Sequence, residues 1–207
     1  MIYAIVLAAG QSRRMGAQKL LLPFGGGTVI GHIAGEILRS PVARAFVVVG
    51  ADSDRVIAAL ENECGSRNAG RTPGALSFVT NPDRNGDMLS SVRCGLRALP
   101  SDCVAALVAL GDQPSITADL VVRMIRTLQT SGCGIVVPAF SGKRGHPLLF
   151  STQCREEVLT RYDDQGLRGL LQAHPQDVFE LAAETAGVLS DMDYPEDYRR
   201  ELGRLQE

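Results

Sequence analysis

The hydrophobic positions of this chain fall into short blocks that alternate between two periods. Ile2 to Leu7 is an almost unbroken apolar run with β-branched residues, and Ala45 to Val49, Leu76 to Thr80, Val104 to Leu110, Gly134 to Pro138 and Val178 to Ala182 repeat that character. Runs of this length, bounded by Gly, Pro or Asn, predict buried strands. Between them, Thr28 to Leu38, Asp54 to Glu63, the stretch after Gly86 through Leu99, and Thr117 to Gln129 carry apolar residues at helical spacing. Asp52 or Ser53 is available to cap the second of these helices. Ser151 to Leu159 reads as a further helix, and Pro195 suits the first turn of a last one. Gly65 to Gly74, rich in Gly, Arg, Asn and Pro, is the clearest loop. Strands alternating with helices, without an internal repeat or linker, predict one domain over residues 1–207. Its fold class is α/β, a three-layer α/β/α sandwich on a mostly parallel sheet.

Composition narrows the function. A chain of 207 residues, 45% hydrophobic and 21% charged, has the make-up of an ordinary globular protein with a sizeable core. No apolar stretch is long enough to span a membrane, and strand-like residues from Ile2 leave hardly any room for a targeting peptide. The five cysteines are scattered and never form a Cys-x-x-Cys pair. They read as reduced thiols of a cytoplasmic protein, not as a disulfide framework or zinc site. A net charge of −2 argues against general nucleic-acid binding. It leaves a nucleotide open, because a few local cations can outweigh the global sign.

Those cations stand beside the first strand. Ala8, Ala9 and Gly10 let a ligand approach the backbone closely, while Gly10 and Gly16 can adopt positive φ and turn successive N–H groups into one concavity. Arg13, Arg14 and Lys19 flank it. A loop leaving the carboxyl end of an early strand is where open α/β sheets bind ligands. The loop contains neither the Gly-x-x-x-x-Gly-Lys of a Walker loop nor the Gly-x-Gly-x-x-Gly of a dinucleotide site. It predicts a cradle for several negative charges, such as a triphosphate, with a glycine turn and solvated arginines as the plainer, less favoured reading.

Four further stretches carry candidate chemistry. Ser90 and Ser91, after Gly86-Asp87-Met88, stand at a helix start and serve either as caps or as an anion or ribose contact. Gly111-Asp112-Gln113-Pro114 puts a carboxylate at the tip of a central strand, suited to Mg²⁺ beside phosphates, or else to an Asx turn. Ser141 to Pro147 is a mobile-looking basic loop in which His146 suits an anionic second substrate. Asp191 and Asp193 alternate on an extended segment and so project to one side, with the positive end of a helix as the plainer explanation.

The stretch Leu7-Ala8-Ala9-Gly10-x-Ser12-x-Arg14-Met15-Gly16 followed by Lys19 resembles the loop of nucleotidyltransferases of the molybdenum cofactor cytidylyltransferase type. Lys19-Leu20-Leu21-Leu22-Pro23-Phe24 is closer to the cytidylyltransferase group than to the related guanylyltransferase, whose loop usually has Gly at the position of Ala9. Gly111-Asp112-Gln113-Pro114 and Gly145-His146-Pro147 match the family's elements. Asp164-Gln165-Gly166-Leu167-Arg168 is similar to Asp-x-Gly-Ala-Arg, and Asp191-Met192-Asp193-Tyr194-Pro195-Glu196-Asp197-Tyr198 is similar to Asp-x-Asp-Thr-Pro-Glu-Asp-Tyr. Asp87 and Tyr194 depart from the pattern; losing the Thr hydroxyl at 194 weakens the last helix start by roughly 1 kcal/mol.

The resemblance implies a Rossmann-like nucleotidyltransferase fold with a partly mixed sheet. It implies nucleotide binding by Leu7, Ala8, Ala9, Gly10, Arg14, Lys19, Gly86, Ser90, Ser91 and Asp112, with Arg14, Lys19 and Asp112 catalytic. Gln113, Pro114, Gly145, His146 and Arg168 would bind the second substrate, and Asp112 and Asp193 would hold Mg²⁺. The reaction it implies is transfer of CMP from CTP to a molybdopterin-type acceptor with release of pyrophosphate, the product passing to a molybdoenzyme, with no nucleic-acid or membrane partner. Its competitors are a guanylyltransferase, a sugar- or polyol-phosphate nucleotidyltransferase, and a non-catalytic carrier of the cofactor; two metal carboxylates favour catalysis over carriage.

Overall fold

The computed structural model describes residues 1–10, 15, 18–50, 53–67, 75–83 and 85–205. Its centre is the first apolar run, strand β1 (Ile2–Ala8). β1 pairs in parallel with β4 (Ala45–Val49) on one side and β6 (Ala105–Leu110) on the other. Beyond β4 lies β5 (Leu76–Thr80), again parallel. Beyond β6 the direction reverses: β9 (Leu148–Ser151) is antiparallel to both β6 and β7 (Ile135–Phe140), and β10 (Val178–Ala182) runs parallel to β7. The order β10-β7-β9-β6-β1-β4-β5 is the mostly parallel, partly mixed sheet that the resemblance implies. A short hairpin of β2 (Pro23–Phe24) and β3 (Gly27–Thr28) stands apart from it.

Period two explains how β1 serves two cores. Ala4, Val6 and Ala8 face one side, where α1 (Val29–Arg39), α2 (Asp54–Arg67) and α4 (Ala118–Thr130) bring Ile30, Ile33, Ile37, Leu60, Val121 and Met124. Tyr3 and Ile5 face the other, against Leu89, Val92 and Leu96 of α3 (Met88–Ala98), Val158 of α5 (Arg155–Thr160) and Leu170 of α6 (Leu167–Ala173). A strand buried on both faces must be apolar throughout, which is why its sequence reads as a run and not as an alternation. The last helix, α7 (Pro195–Arg204), begins on Pro195.

Several local readings change. Helix α2 continues to Arg67, so the Gly65–Gly74 loop starts later; residues 68–74 and the candidate cap Asp52 lie outside the described residues. Ser151–Leu159 is a 3-10 turn over Thr152–Cys154 followed by α5, not one helix. The basic loop is an ordered hairpin. Lys143 and Arg144 form β8 (Lys143–Arg144) against β7, joined by a tight turn in which Ser141 and Gly142 have positive φ. Exposed charges on an edge strand look like loop residues in sequence, although they are a usual guard against edge pairing. Helix α7 recovers part of the lost threonine cap, because the Asp197 carboxylate accepts the Asp193 and Tyr194 N–H groups at 3.1 and 2.9 Å.

Candidate functional site

Parallel β1 and β6 end at the same edge of the sheet, so the segments that follow them meet there. Leu7 accepts the Gly111 N–H at 2.9 Å, and a Cβ at Gly111 would stand 2.6 Å from that carbonyl oxygen. Only glycine lets the two segments approach this closely. Asp112 is thereby held beside the return of the first loop. Its carboxylate accepts from the Lys19 ammonium at 2.5 Å, and Lys19 also reaches Asp193 at 3.0 Å. Lys19 opens a 3-10 turn after the first loop, Asp112 tips β6, and Asp193 precedes α7.

The electrostatics of this cluster follow from its partial burial. The side chains of Lys19 and Asp112 are 11% and 19% exposed. Burial disfavours the Lys19 ammonium, but the Asp112 and Asp193 carboxylates outweigh it and hold its pKa above the ordinary value. Burial pushes the Asp112 carboxyl up, Lys19 pulls it back, and nearby Asp191 adds to the rise.

A second set of groups adjoins the first. Gln113, 1% exposed, donates through Nε2 to Asp191 at 2.5 Å while its Oε1 has no partner. Asp191 thus reaches the loop after β6, and Asp193 reaches Lys19. Met192 between them is fully buried and donates its N–H to the Asp112 carbonyl at 3.2 Å. Gly145 packs so tightly that a Cβ would lie 2.1 Å from the Val188 carbonyl oxygen, which also accepts the His146 N–H at 2.9 Å. Burial keeps His146 below the ordinary imidazole pKa despite Asp191 and Asp112, and the Arg168 charge pushes the same way. His146 therefore offers a neutral ring with a buried, unpartnered Nδ1. Buried Pro114 presents its carbonyl to His32 Nε2 at 3.2 Å. Arg168 is exposed on α6.

The remaining sequence candidates divide. Ala8 is buried at the end of β1, Ala9 half-buried and Gly10 exposed; Leu7 is half-buried in the sheet. Gly10 does not have the positive φ that its role in a backbone concavity would use. Arg14 and Gly16 lie outside the described residues, as does Arg13. Ser90 and Ser91 are not the caps of α3. That place belongs to Asp87, the apparent insertion, whose Oδ1 accepts the Ser90 N–H at 2.8 Å. The two hydroxyls instead accept from buried Asn81 Nδ2 at 2.9 and 3.0 Å, and Gly86 closes the turn on the Asp83 carbonyl at 3.2 Å. Asn81 is the buried polar residue that the site reading lacks; its signal is an amide directly after β5, at the carboxyl edge of the sheet.

Among the described residues no group of three or more His, Cys, Asp or Glu side chains is arranged to hold a metal ion. The pair Asp112 and Asp193 still fits Mg²⁺, which binds through one or two carboxylates and takes its other ligands from water and phosphates. Their oxygens already converge on one cation, the Lys19 ammonium. A separate cleft of about 780 Å³ opens at the opposite edge of the sheet, lined by Ile2, Val104, Ile125, Cys133 and Asp177 among others. The Asp177 carboxylate there is taken up by the Gly134 N–H at 2.6 Å. No helix among the described residues is long and apolar enough to cross a membrane.

Comparison with known proteins agrees with this geometry. The chain is 28% identical over 197 residues to the molybdenum cofactor cytidylyltransferase of Escherichia coli K12, covering 95% of this chain and 93% of that one. It is 29% identical over 199 residues to the purine catabolism protein PucB of Bacillus subtilis 168, with 95% and 94% covered. It superposes on the crystal structure of Rv0371c of Mycobacterium tuberculosis H37Rv, a complex with manganese, with a TM-score of 0.74 at 26% identity and 98% of each chain covered. Residues 4–178 match the MobA-like NTP transferase domain, the family to which this chain belongs.

Proposed function

We propose that the chain transfers the CMP moiety of CTP to a phosphate on a molybdopterin-type acceptor, releasing pyrophosphate. The observation that carries this reading is the meeting of Lys19, Asp112 and Asp193 at the carboxyl edge of the sheet, from positions 93 and 174 residues apart. Such an edge is where a nucleotide's charge would be received. In the transfer, an acceptor phosphate oxygen forms a bond to the α-phosphorus as the bond to the β-phosphate oxygen breaks, and pyrophosphate carries away the electron pair. The nucleophile is already an anion, so no general base is needed, and the work is positioning and charge neutralisation.

Lys19, together with Arg14 of the first loop, would take the β- and γ-phosphates. Asp112 and Asp193 would hold Mg²⁺, which supplies charge neutralisation at the phosphates when bound. Gln113, His146 and Arg168 would receive the acceptor, the first two through hydrogen bonds and the third through charge. The cytidylyltransferase from E. coli and the Lys19–Phe24 stretch support CTP over GTP, and the manganese complex of the mycobacterial relative supports a divalent ion.

A pyrophosphate-release assay with the four nucleoside triphosphates, Mg²⁺ and a molybdopterin acceptor tests the proposal. CTP-selective release, lost in Asp112→Ala, is the expected result. Release with GTP alone would move the chain to guanylyl transfer. No release, with the acceptor still bound, would make it a carrier.

A further inference from the structure

We infer that Lys19 is a placeholder cation: it fills the divalent-ion position in the empty chain and leaves it only when the phosphates of a nucleotide can take its charge. The inference rests on the metal reading above and adds to it an order of events and a role for one side chain.

Three observations carry it. One oxygen of each carboxylate that would hold the ion, Asp112 Oδ2 and Asp193 Oδ1, already binds Nζ, at 2.5 and 3.0 Å. A divalent ion within bonding range of both, about 2.1 Å from each oxygen for Mg²⁺, would share their space with an ammonium. Lys19 and Asp112 are mostly buried, while Asp193 is 39% exposed, so solvent and salt relieve the repulsion between the two cations only from the Asp193 side. Finally, Lys19 is itself well placed to leave. Its ammonium sits on a flexible four-carbon stem, so it can swing without backbone movement, and its Cα opens the turn that follows the first loop.

In the empty chain, Lys19 offsets one of the two carboxylate charges and keeps both side chains aimed at one point. A divalent ion arriving alone must break the contacts of Lys19 with both carboxylates and brings no phosphate to replace them. An ion arriving with a nucleotide displaces it onto phosphate oxygens. Binding of metal alone is therefore weak, and Lys19 makes the site respond to metal and nucleotide together.

The test uses Mn²⁺ alone, with free ion followed by electron paramagnetic resonance, on the full chain without nucleotide. Lys19→Met and Lys19→Gln are expected to bind Mn²⁺ at least tenfold more tightly than wild type. Mn²⁺ should also raise their melting temperatures by more than it raises that of wild type. Lys19→Arg, which keeps the charge, should stay near wild type. Should Lys19→Met not fold, Lys19→Gln carries the comparison, since its amide can still donate to one carboxylate.

Equal or weaker Mn²⁺ affinity in the neutral variants would overturn the inference. If Asp193→Asn still abolished binding in that case, the metal reading would survive it. Mn²⁺ binding that ignores both Asp112→Asn and Asp193→Asn would overturn the metal reading, and this inference with it.

Discussion

Glu201 offers a sharp test of how the final helix holds the candidate site together. It lies on α7, eight residues after Asp193, and is 2% exposed. Its Oε2 accepts the Ser115 hydroxyl at 2.7 Å, and its Oε1 is bonded to the Arg204 guanidinium. Ser115 directly follows the Gly111–Pro114 segment, so this buried carboxylate joins α7 to the loop that carries Asp112. A hydrogen bond to a charged group contributes about 1.5–3 kcal/mol. Arg204 is 34% exposed and can turn to water, so the Ser115 bond and the cavity dominate the loss. Glu201→Ala should therefore cost about 3 kcal/mol, or roughly 6–12 °C in melting temperature for a chain of this size. Glu201→Gln keeps the acceptor and the volume and should cost about 1 kcal/mol. Urea unfolding followed by circular dichroism reads both as a shift in midpoint at constant slope. In a double-mutant cycle with Ser115→Ala, a coupling of about 1 kcal/mol or more is expected for groups in contact. Additive losses, or a Glu201→Ala cost below about 0.5 kcal/mol, the range of an ordinary surface change, would refute the link.

Further outcomes follow from other contacts. Gly145→Ala would drive a methyl group against the Val188 carbonyl and should cost about 1–3 kcal/mol in the same unfolding assay. Asp193→Asn should lower the rate of pyrophosphate release from CTP by at least about a hundredfold while the melting temperature without ligand stays within a few degrees; an unchanged rate would remove Asp193 from the site. Gln113→Leu would strip Asp191 of its 2.5 Å donor and should raise KM for the acceptor while leaving KM for CTP near wild type. The Glu157 carboxyl is held below its ordinary pKa by the Tyr162 hydroxyl and by His174. A lowered folded pKa gives stability that is present above the unfolded carboxyl value and lost as pH falls through the folded one, so Glu157→Gln should flatten the acid limb of stability against pH.

How much of this was legible in sequence depends on the range over which each feature is decided. Strands β4, β5 and β10 have the bounds read from sequence, because a short β-branched run and its flanking breakers are both local. The caps Thr28 and Thr117 are equally local: each accepts an N–H from three residues ahead. The β2–β3 hairpin is absent from the sequence reading because strands of two residues have no period to detect. The turn before α3 was half-read. Asp87 looked like an interruption of a pattern, yet an acid three residues before an N–H is a cap by ordinary rules, and the two serines were free for Asn81 because Asp87 had taken their task.

The site shows the same division more strongly. Lys19, Asp112 and Asp193 could each be picked out, since each stands where a strand or helix meets a loop and has a plain chemical use. Their mutual contact could not, because no local pattern links residues this far apart in the chain; it is the parallel pairing of β1 with β6 and the seat of α7 that bring them together. The sequence expectation gave Lys19 to the phosphates and the two carboxylates to a metal, as though these were separate assignments. The structure puts all three on one point. That makes the charge balance of this cluster a property of the fold, since a largely buried lysine needs a counter-ion. The two carboxylates supply one, at 2.5 and 3.0 Å, so that neither side of the pairing is buried without a partner.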